Sequence, residues 1–325
     1  SVYGLQHGRL HLQVPTAMWM NMGYWKDSNA SLSMAEASRN LLDAVLAQAG
    51  FSSVVERAEV EKGARRVKCL IDLGFGCGDQ TMYLMSTKPV RPSDEIWWDA
   101  QEHCVRFDYY VGITNDPVQA RYASKRVEKL KNRGNMIDPY HQYDHKDGRT
   151  DIALFCADAA KPTSWDDRLQ ATIQNARDKS QERWVLALDT AYHFAHSRWP
   201  LINHTCLHIG ASFMAFDLCL SHTATVTQKF VLRLLTALMG APWANFITPQ
   251  EYQKKLIQAG YRKDMITIKD ISEHVFIPLT QYLDNQDERL RLLGLGIGKF
   301  RLAKAMFNWW GRTGVVRGVI VTARK

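Results

Sequence analysis

The chain has 325 residues, 46% of them apolar and 23% charged, enough to bury a substantial core and too apolar for a largely disordered chain. Lys and Arg number 41 against 33 Asp and Glu, a net charge of +8. Nine of those cations fall in residues 289–325, which contain no acid, so the body of the chain is neutral and its tail is basic. No run approaches the roughly 18 apolar residues of a membrane-spanning helix. The segment 206–220 is interrupted by His208, Ser212 and Asp217 and reads as a buried strand. Cys69, Cys77, Cys104, Cys156, Cys206 and Cys219 show no Cys-x-x-Cys or Cys/His metal spacing and read as free thiols of a reducing compartment, with no metal site. A start at Ser1 without Met leaves room for an upstream targeting or anchor segment.

In chain order, 33–49 reads as an amphipathic helix with Met34, Ala37, Leu41, Leu42, Val45 and Leu46 on one face. A strand at 67–73, a Gly-rich turn and a helix at 79–85 follow. Then come a strand at 105–113, a helix at 117–132, and strands at 152–156, 184–188 and 211–218. Two closing strands are expected at 265–271 and 315–323. Short apolar runs alternating with helical stretches are the pattern of an α/β domain with a largely parallel sheet. Segments 86–103 and 134–150 are long for loops and read as surface insertions. The second holds His141, Asp144, His145 and Asp147, which read as a solvated loop.

The sharpest local signal is Asp72-Leu73-Gly74-Phe75-Gly76-Cys77-Gly78-Asp79, between a strand and a helix. Glycines at 74, 76 and 78 allow a tight bend and close approach of a ligand to the backbone, and the helix that follows offers free N–H groups. The spacing is not the Gly-x-Gly-x-x-Gly of nicotinamide and flavin enzymes, and no Lys-Ser/Thr pair is present to hold a nucleotide phosphate. A carboxylate at Asp72 suits a cationic group better than a pyrophosphate. Cys77 lies in this loop with no neighbour in sequence to lower its pKa, so it reads as packing.

These residues resemble the first motif of the class I S-adenosylmethionine-dependent methyltransferases. Further matches stand in register over about residues 18 to 325. Gly112-Ile113-Thr114-Asn115-Asp116-Pro117-Val118-Gln119 resembles the Gly-Ile-Thr-x-Ser-Pro-x-Gln segment of the small-molecule branch, which includes sterol, mycolic-acid and natural-product enzymes. Asn21-Met22-Gly23-Tyr24-Trp25 resembles that branch's Asn-x-Gly-Tyr-Trp segment. The resemblance implies a Rossmann-like seven-stranded sheet of order 3-2-1-4-5-7-6 with the last strand antiparallel, and a helical lid. It also implies S-adenosyl-L-methionine as cofactor. Asp72, Gly74, Gly76 and Gly78 would hold its amino-acid end, Thr114 and Gln119 its ribose, and Asp158 and Ala159 its adenine. Tyr24 and Trp25 would close over it, and Asp189 would sit beside it. Four regions are expected: a cap at 1–50, the cofactor-binding core at 51–223, a lid with the sixth strand at 224–310, and the final strand at 311–325.

By the same resemblance, Tyr192, His193 and Phe194 follow the fourth strand where the methyl-transfer site is lined. His193 suits a general base at neutral pH, and Asp217, at the end of the fifth strand, is expected to orient it. A His that only hydrogen-bonds its own loop is the structural alternative. Lipid cyclopropanating members carry Glu where Tyr192 stands, which disfavours olefin chemistry. Asp189-Thr190-Ala191-Tyr192 lacks the prolines of nucleic-acid amino-methyltransferases, which disfavours base methylation. His196, His204, His208 and His222 read as surface or loop residues.

Residues 290–310 interleave Leu, Phe and Trp with four cations, the composition of a helix lying on an anionic bilayer, although Gly294, Gly296 and Gly298 weaken the helical reading near its start; packing on the sheet or lining the acceptor pocket, with solvated cations, is the alternative. A second amphipathic segment, 226–239, is expected to share the lid. The expected activity is methyl transfer to an O, N or C nucleophile of a small, lipophilic metabolite. A phosphoethanolamine or phospholipid-head-group N-methyltransferase and a non-catalytic, membrane-associated scaffold stand as alternatives. The expected location is the cytoplasm or the surface of an intracellular membrane, with a possible anionic-surface contact through 289–312 and no nucleic-acid partner.

Overall fold

The computed structural model describes residues 17–26, 32–51, 66–85, 107–132 and 151–325. Cys104, both expected insertions and the group around His141 lie outside them. Seven strands form one sheet: β1 (Lys68–Leu73), β2 (Tyr109–Thr114), β3 (Asp151–Cys156), β4 (Glu182–Leu188), β5 (Ser212–Leu220), β6 (Ile266–Asp270) and β7 (Val316–Ala323). Their order is β3-β2-β1-β4-β5-β7-β6, as expected. The first five are parallel, and β7 runs antiparallel to both β5 and β6.

Helices cover both faces, which explains why β1, β2 and β5 are buried at every residue. One face packs against α1 (Met34–Gln48), α2 (Asp79–Met85), α3 (Pro117–Asn132), α6 (Val226–Leu238), α8 (Phe276–Leu292) and α9 (Phe300–Thr313). The other packs against α4 (Asp167–Lys179), α5 (Trp199–His204) and α7 (Pro249–Gln258). Helix α1 buries Ala37, Leu41, Leu42, Val45 and Leu46 and starts in a capping box between Ser33 and Glu36. Thr225 with Gln228, and Thr248 with Glu251, cap α6 and α7 in the same way.

Two expectations change. Residues 206–209 are not strand: a π-helical turn, Thr205–Ile209, continues α5 and ends at Gly210 in the left-handed conformation before β5 begins. This places His204 and His208 on helical turns, their rings stacked 4.9 Å apart. The segment 290–310 is not one element either. Helix α8 stops at Leu292, and Gly294 and Gly298 take positive φ in the turn to α9, which packs back on α8. That hairpin pairs Arg291 with Asp287 at 2.6 Å, Arg301 with Asp287 at 3.9 Å, and Lys304 with Asp284, so part of the tail's charge is neutralised by acids that precede it in sequence. Among the described residues no helix is long and apolar enough to cross a membrane, and Cys69, Cys77, Cys156, Cys206 and Cys219 are free thiols.

Candidate active site

Strand β1 ends at the glycine bend. Gly74, Gly76 and Gly78 take φ of +80°, +60° and +91°, where an L side chain is strained. Space is tight as well, although at 76 the near atom is only the flexible tip of Met20. A Cβ would stand 2.8 Å from Thr190 Oγ1 at Gly74, 2.9 Å from Met20 Cε at Gly76 and 2.9 Å from Ala123 Cβ at Gly78. The three glycines therefore differ: 74 meets the loop after β4, 76 the N-terminal segment, and 78 the packing of α2 on α3. Gly74 N–H donates to Ile113 O at 2.7 Å, tying the bend to the end of β2. Behind it, Arg126 from α3 makes a buried bidentate pair with Asp79 (2.7 and 3.0 Å) and donates to Cys77 O at 2.9 Å.

The carboxylate of Asp72 lies beneath this bend, fully buried. Gln80 Nε2 donates to both of its oxygens at 2.7 Å, and the Tyr110 hydroxyl donates to Oδ2. Burial pushes the carboxyl up to about 6, against the pull of those donors. At the next strand end Thr114 is buried, and its hydroxyl reaches Gln119 Oε1 at 3.4 Å. Asp116 fixes that turn by accepting from Val118 N–H and Gln119 N–H. Beyond β3, Asp158 is partly exposed and accepts from Ala160 N–H at 2.9 Å, with Ala159 buried beside it. The bend, Thr114 with Gln119, and Asp158 with Ala159 stand at the C-terminal ends of β1, β2 and β3, the edge where open α/β sheets bind ligands.

The N-terminal segment crosses this edge. Met18, Trp19, Met20 and Asn21 line a crevice with Gly74, Phe75, Gly76, Cys77, Asp79, Gln80 and Leu188 that leaves a cavity of only about 30 Å³. Met22 N–H donates to Asp189 Oδ2 at 2.8 Å. Tyr24 stacks edge-on against His274, and Trp25 is buried against Tyr282 with its indole donating to Met22 O at 2.9 Å. Neither ring lines the crevice. Trp25, expected against a cofactor, is buried and packs on the half-buried Tyr282 of α8. Sequence reasoning quoted Met20 and Phe75 within motifs without giving them a role and did not single out Gln80, one residue beyond the glycine motif, although all three line the crevice.

The loop after β4 is held by unusual means. Asp189 has φ of +57°. Its Oδ1 is sealed from solvent without a partner although the residue is partly exposed, and burial pushes its carboxyl up to about 7 against the Tyr192 hydroxyl bond. His193 lies exposed beside Tyr192, ring centroids 4.3 Å apart. Surrounding protein atoms push its imidazole below the usual value, and the charge of Asp217 opposes that shift. Phe194 is buried at the end of the turn.

Asp217 does not orient His193. It is fully buried in an ion pair with Arg198, accepts from the Tyr252 hydroxyl at 2.9 Å and from Leu218 N–H at 2.9 Å, and forms no hydrogen bond with the imidazole. The reason is chemical: Arg198 is also fully buried and needs an anion, which Asp217 supplies. Arg198 further donates to Asn245 O, and Asn245 Nδ2 donates to the carbonyls of Tyr192 (3.1 Å) and Phe194 (3.0 Å). The Arg198–Asp217 pair thus supports the His193 turn through backbone. A larger cavity, about 440 Å³, opens between α4 and the turns that end α5.

Comparison of the whole fold decides its class. A geranyl diphosphate C-methyltransferase from Streptomyces coelicolor, crystallised with Mg2+, geranyl diphosphate and S-adenosyl-L-homocysteine, superposes with a TM-score of 0.52 at 14% identity, over 98% of this chain and 97% of that one. The cyclopropane synthase MmaA2 from Mycobacterium tuberculosis superposes with a TM-score of 0.53 at 12% identity, over 94% and 90%. The fold is that of the class I methyltransferases. The methyltransferase fold also houses the 4+2 cyclase SpnF, which superposes with a TM-score of 0.54 at 15% identity, over 96% of this chain and 88% of that one. The fold alone therefore leaves the reaction to be argued from residues. No protein-family model matches the chain, and no curated protein matches it by sequence.

Proposed function

We propose that the protein transfers a methyl group from S-adenosyl-L-methionine to an oxygen, nitrogen or carbon nucleophile of a small, lipophilic acceptor. The observation that carries this reading is the β1–α2 bend. Its glycines at 74, 76 and 78 hold positive φ that side chains rarely adopt, and they bring bare backbone to the C-terminal edge of the sheet, where Thr114 and Gln119 also stand at the end of β2. The sealed, unpartnered Oδ1 of Asp189 is a second fit, an acceptor suited to a donor or cation. The cofactor, when bound, supplies a methyl group already activated by its sulfonium. On this reading Asp72, Gly74, Gly76 and Gly78 hold its amino-acid end, Thr114 and Gln119 its ribose, Asp158 and Ala159 its adenine, and Asp189 borders it.

The protein's remaining task is orientation and proton removal. Tyr192 and Phe194 border the acceptor, and His193 accepts its proton, since a lowered pKa keeps the imidazole neutral at pH 7. The Glu of cyclopropanating relatives is replaced by Tyr192, whose hydroxyl is committed to Asp189. A greasy acceptor suits the apolar side chains of α6, α8 and α9 if these helices form the lid, and the cations of 289–312 that remain outside ion pairs suit an anionic surface. Isothermal titration with S-adenosyl-L-homocysteine tests the cradle. Saturable binding that Gly74→Val abolishes is expected, and an absence of heat from folded protein overturns the reading. A product screen across sterols, polyketides, terpenoid diphosphates and amino-alcohol phosphates then separates a small-molecule enzyme from a head-group N-methyltransferase and from a scaffold that binds without turnover.

A further inference from the structure

Helix α6 turns its apolar side outward. Val226, Phe230, Leu234 and Leu238 are 84%, 64%, 55% and 77% exposed, while Leu232 and Thr236 are buried beneath them. Positions four apart drift only about 40° per step, so these four side chains form one ridge about 18 Å long. Lys229 and Arg233 flank it, both exposed. Residues 218–250 contain no Asp or Glu, and neither cation makes an ion pair among the described residues. Glu251, which feels the charges of Lys254 and Lys229, is already committed to the backbone and hydroxyl of Thr248.

We propose that this outer face of α6 docks in the headgroup–acyl boundary of an anionic bilayer, with Phe230 and the leucines inserted and Lys229 and Arg233 against lipid phosphates. An apolar stripe flanked by unpaired cations matches such a surface in both chemistry and charge. A second copy of the chain matches it poorly. Two-fold, antiparallel pairing about Leu232 would set Lys229 and Arg233 against their own images. The tail hairpin is the weaker candidate for the same role, because Arg291, Arg301 and Lys304 are already paired with Asp284 and Asp287. Helix α6 covers the sheet face that buries Tyr192, so docking would hold the acceptor side of the site near the lipid. The inference deepens the lipophilic-acceptor reading, and its test needs no turnover.

The full chain is floated with vesicles of phosphatidylcholine containing about one third phosphatidylserine, and with phosphatidylcholine alone, at salt of about 50 mM and about 300 mM. Binding to the anionic vesicles at low salt is expected, falling about tenfold when Phe230→Ser and Leu234→Ser are combined. A Lys229→Glu, Arg233→Glu variant should lose it similarly and decides the matter if the serine variant fails to fold. Wild type left unbound, or variants of α6 that bind as wild type, overturn the proposal. So does a dimer in solution that the serine substitutions dissociate, which would assign the ridge to a second copy. Loss of binding in Arg289→Glu, Lys299→Glu with α6 intact and unneeded would move the contact to the tail.

Discussion

The imidazole of His193 sits in a surface turn yet is crowded by protein on one side, and that crowding disfavours its charged form. A base must be neutral to accept a proton, so the rate should hold at pH 7 and decline as pH falls through a value below the ordinary 6.5 of histidine. In His193→Gln we expect the acid limb of the pH–rate profile to vanish and the rate to fall about 10²- to 10⁴-fold. A rate within severalfold of wild type, with the limb intact, removes His193 from the mechanism. Asp189 illustrates a different residue-scale effect. Burial raises its carboxyl to about 7 although the Tyr192 hydroxyl and the Met22 N–H, which it accepts, pull the other way, and its Oδ1 is left sealed without a partner.

At the scale of elements, Arg198, Asp217, Tyr252 and Asn245 tie the turn after β4 to β5 and α7. Removing one member of a buried ion pair leaves the other charge unpaired, a loss of about 3–5 kcal/mol. Asp217→Ala should destabilise the protein by that amount in denaturant melts, while Arg198→Met with Asp217→Leu should cost less than the single change. A single variant within about 1 kcal/mol of wild type would show that the pair does not hold the loop. The sequence showed each of these side chains and none of their pairing. Asp217 lies 19 residues from Arg198, so only folding decides that it serves the guanidinium and leaves His193 without a carboxylate partner. Helix boundaries were hidden for a related reason. Apolar periodicity runs through 290–310, but Gly294 and Gly298 break it, and the acids of α8 that neutralise α9 come from before the stretch that reads as purely basic.

For the whole molecule, the N-terminal segment lies across the glycine bend and leaves about 30 Å³ beneath it, roughly the volume of one water and far less than a nucleoside-sized group needs. On the proposed reading, a cofactor seated there would displace residues 18–21. Hydrogen exchange should report this: on adding S-adenosyl-L-homocysteine, protection across 17–25 should change, including at the Met22 amide now bonded to Asp189. Unchanged exchange at saturation would show that the segment is not the gate.

The individual strands and the three-glycine bend were legible in the sequence, because strand periodicity and glycine's freedom at positive φ are local properties, whereas the strand order and the antiparallel β7 were expected only from the family that the motifs resemble. What occupies each polar atom was not. The partner of Asp217, the inward turn of Trp25, the strap over the crevice and the outward ridge of α6 depend on which surfaces meet after the chain folds. An amphipathic pattern states that a helix has two faces, and only the packed structure decides which one water keeps.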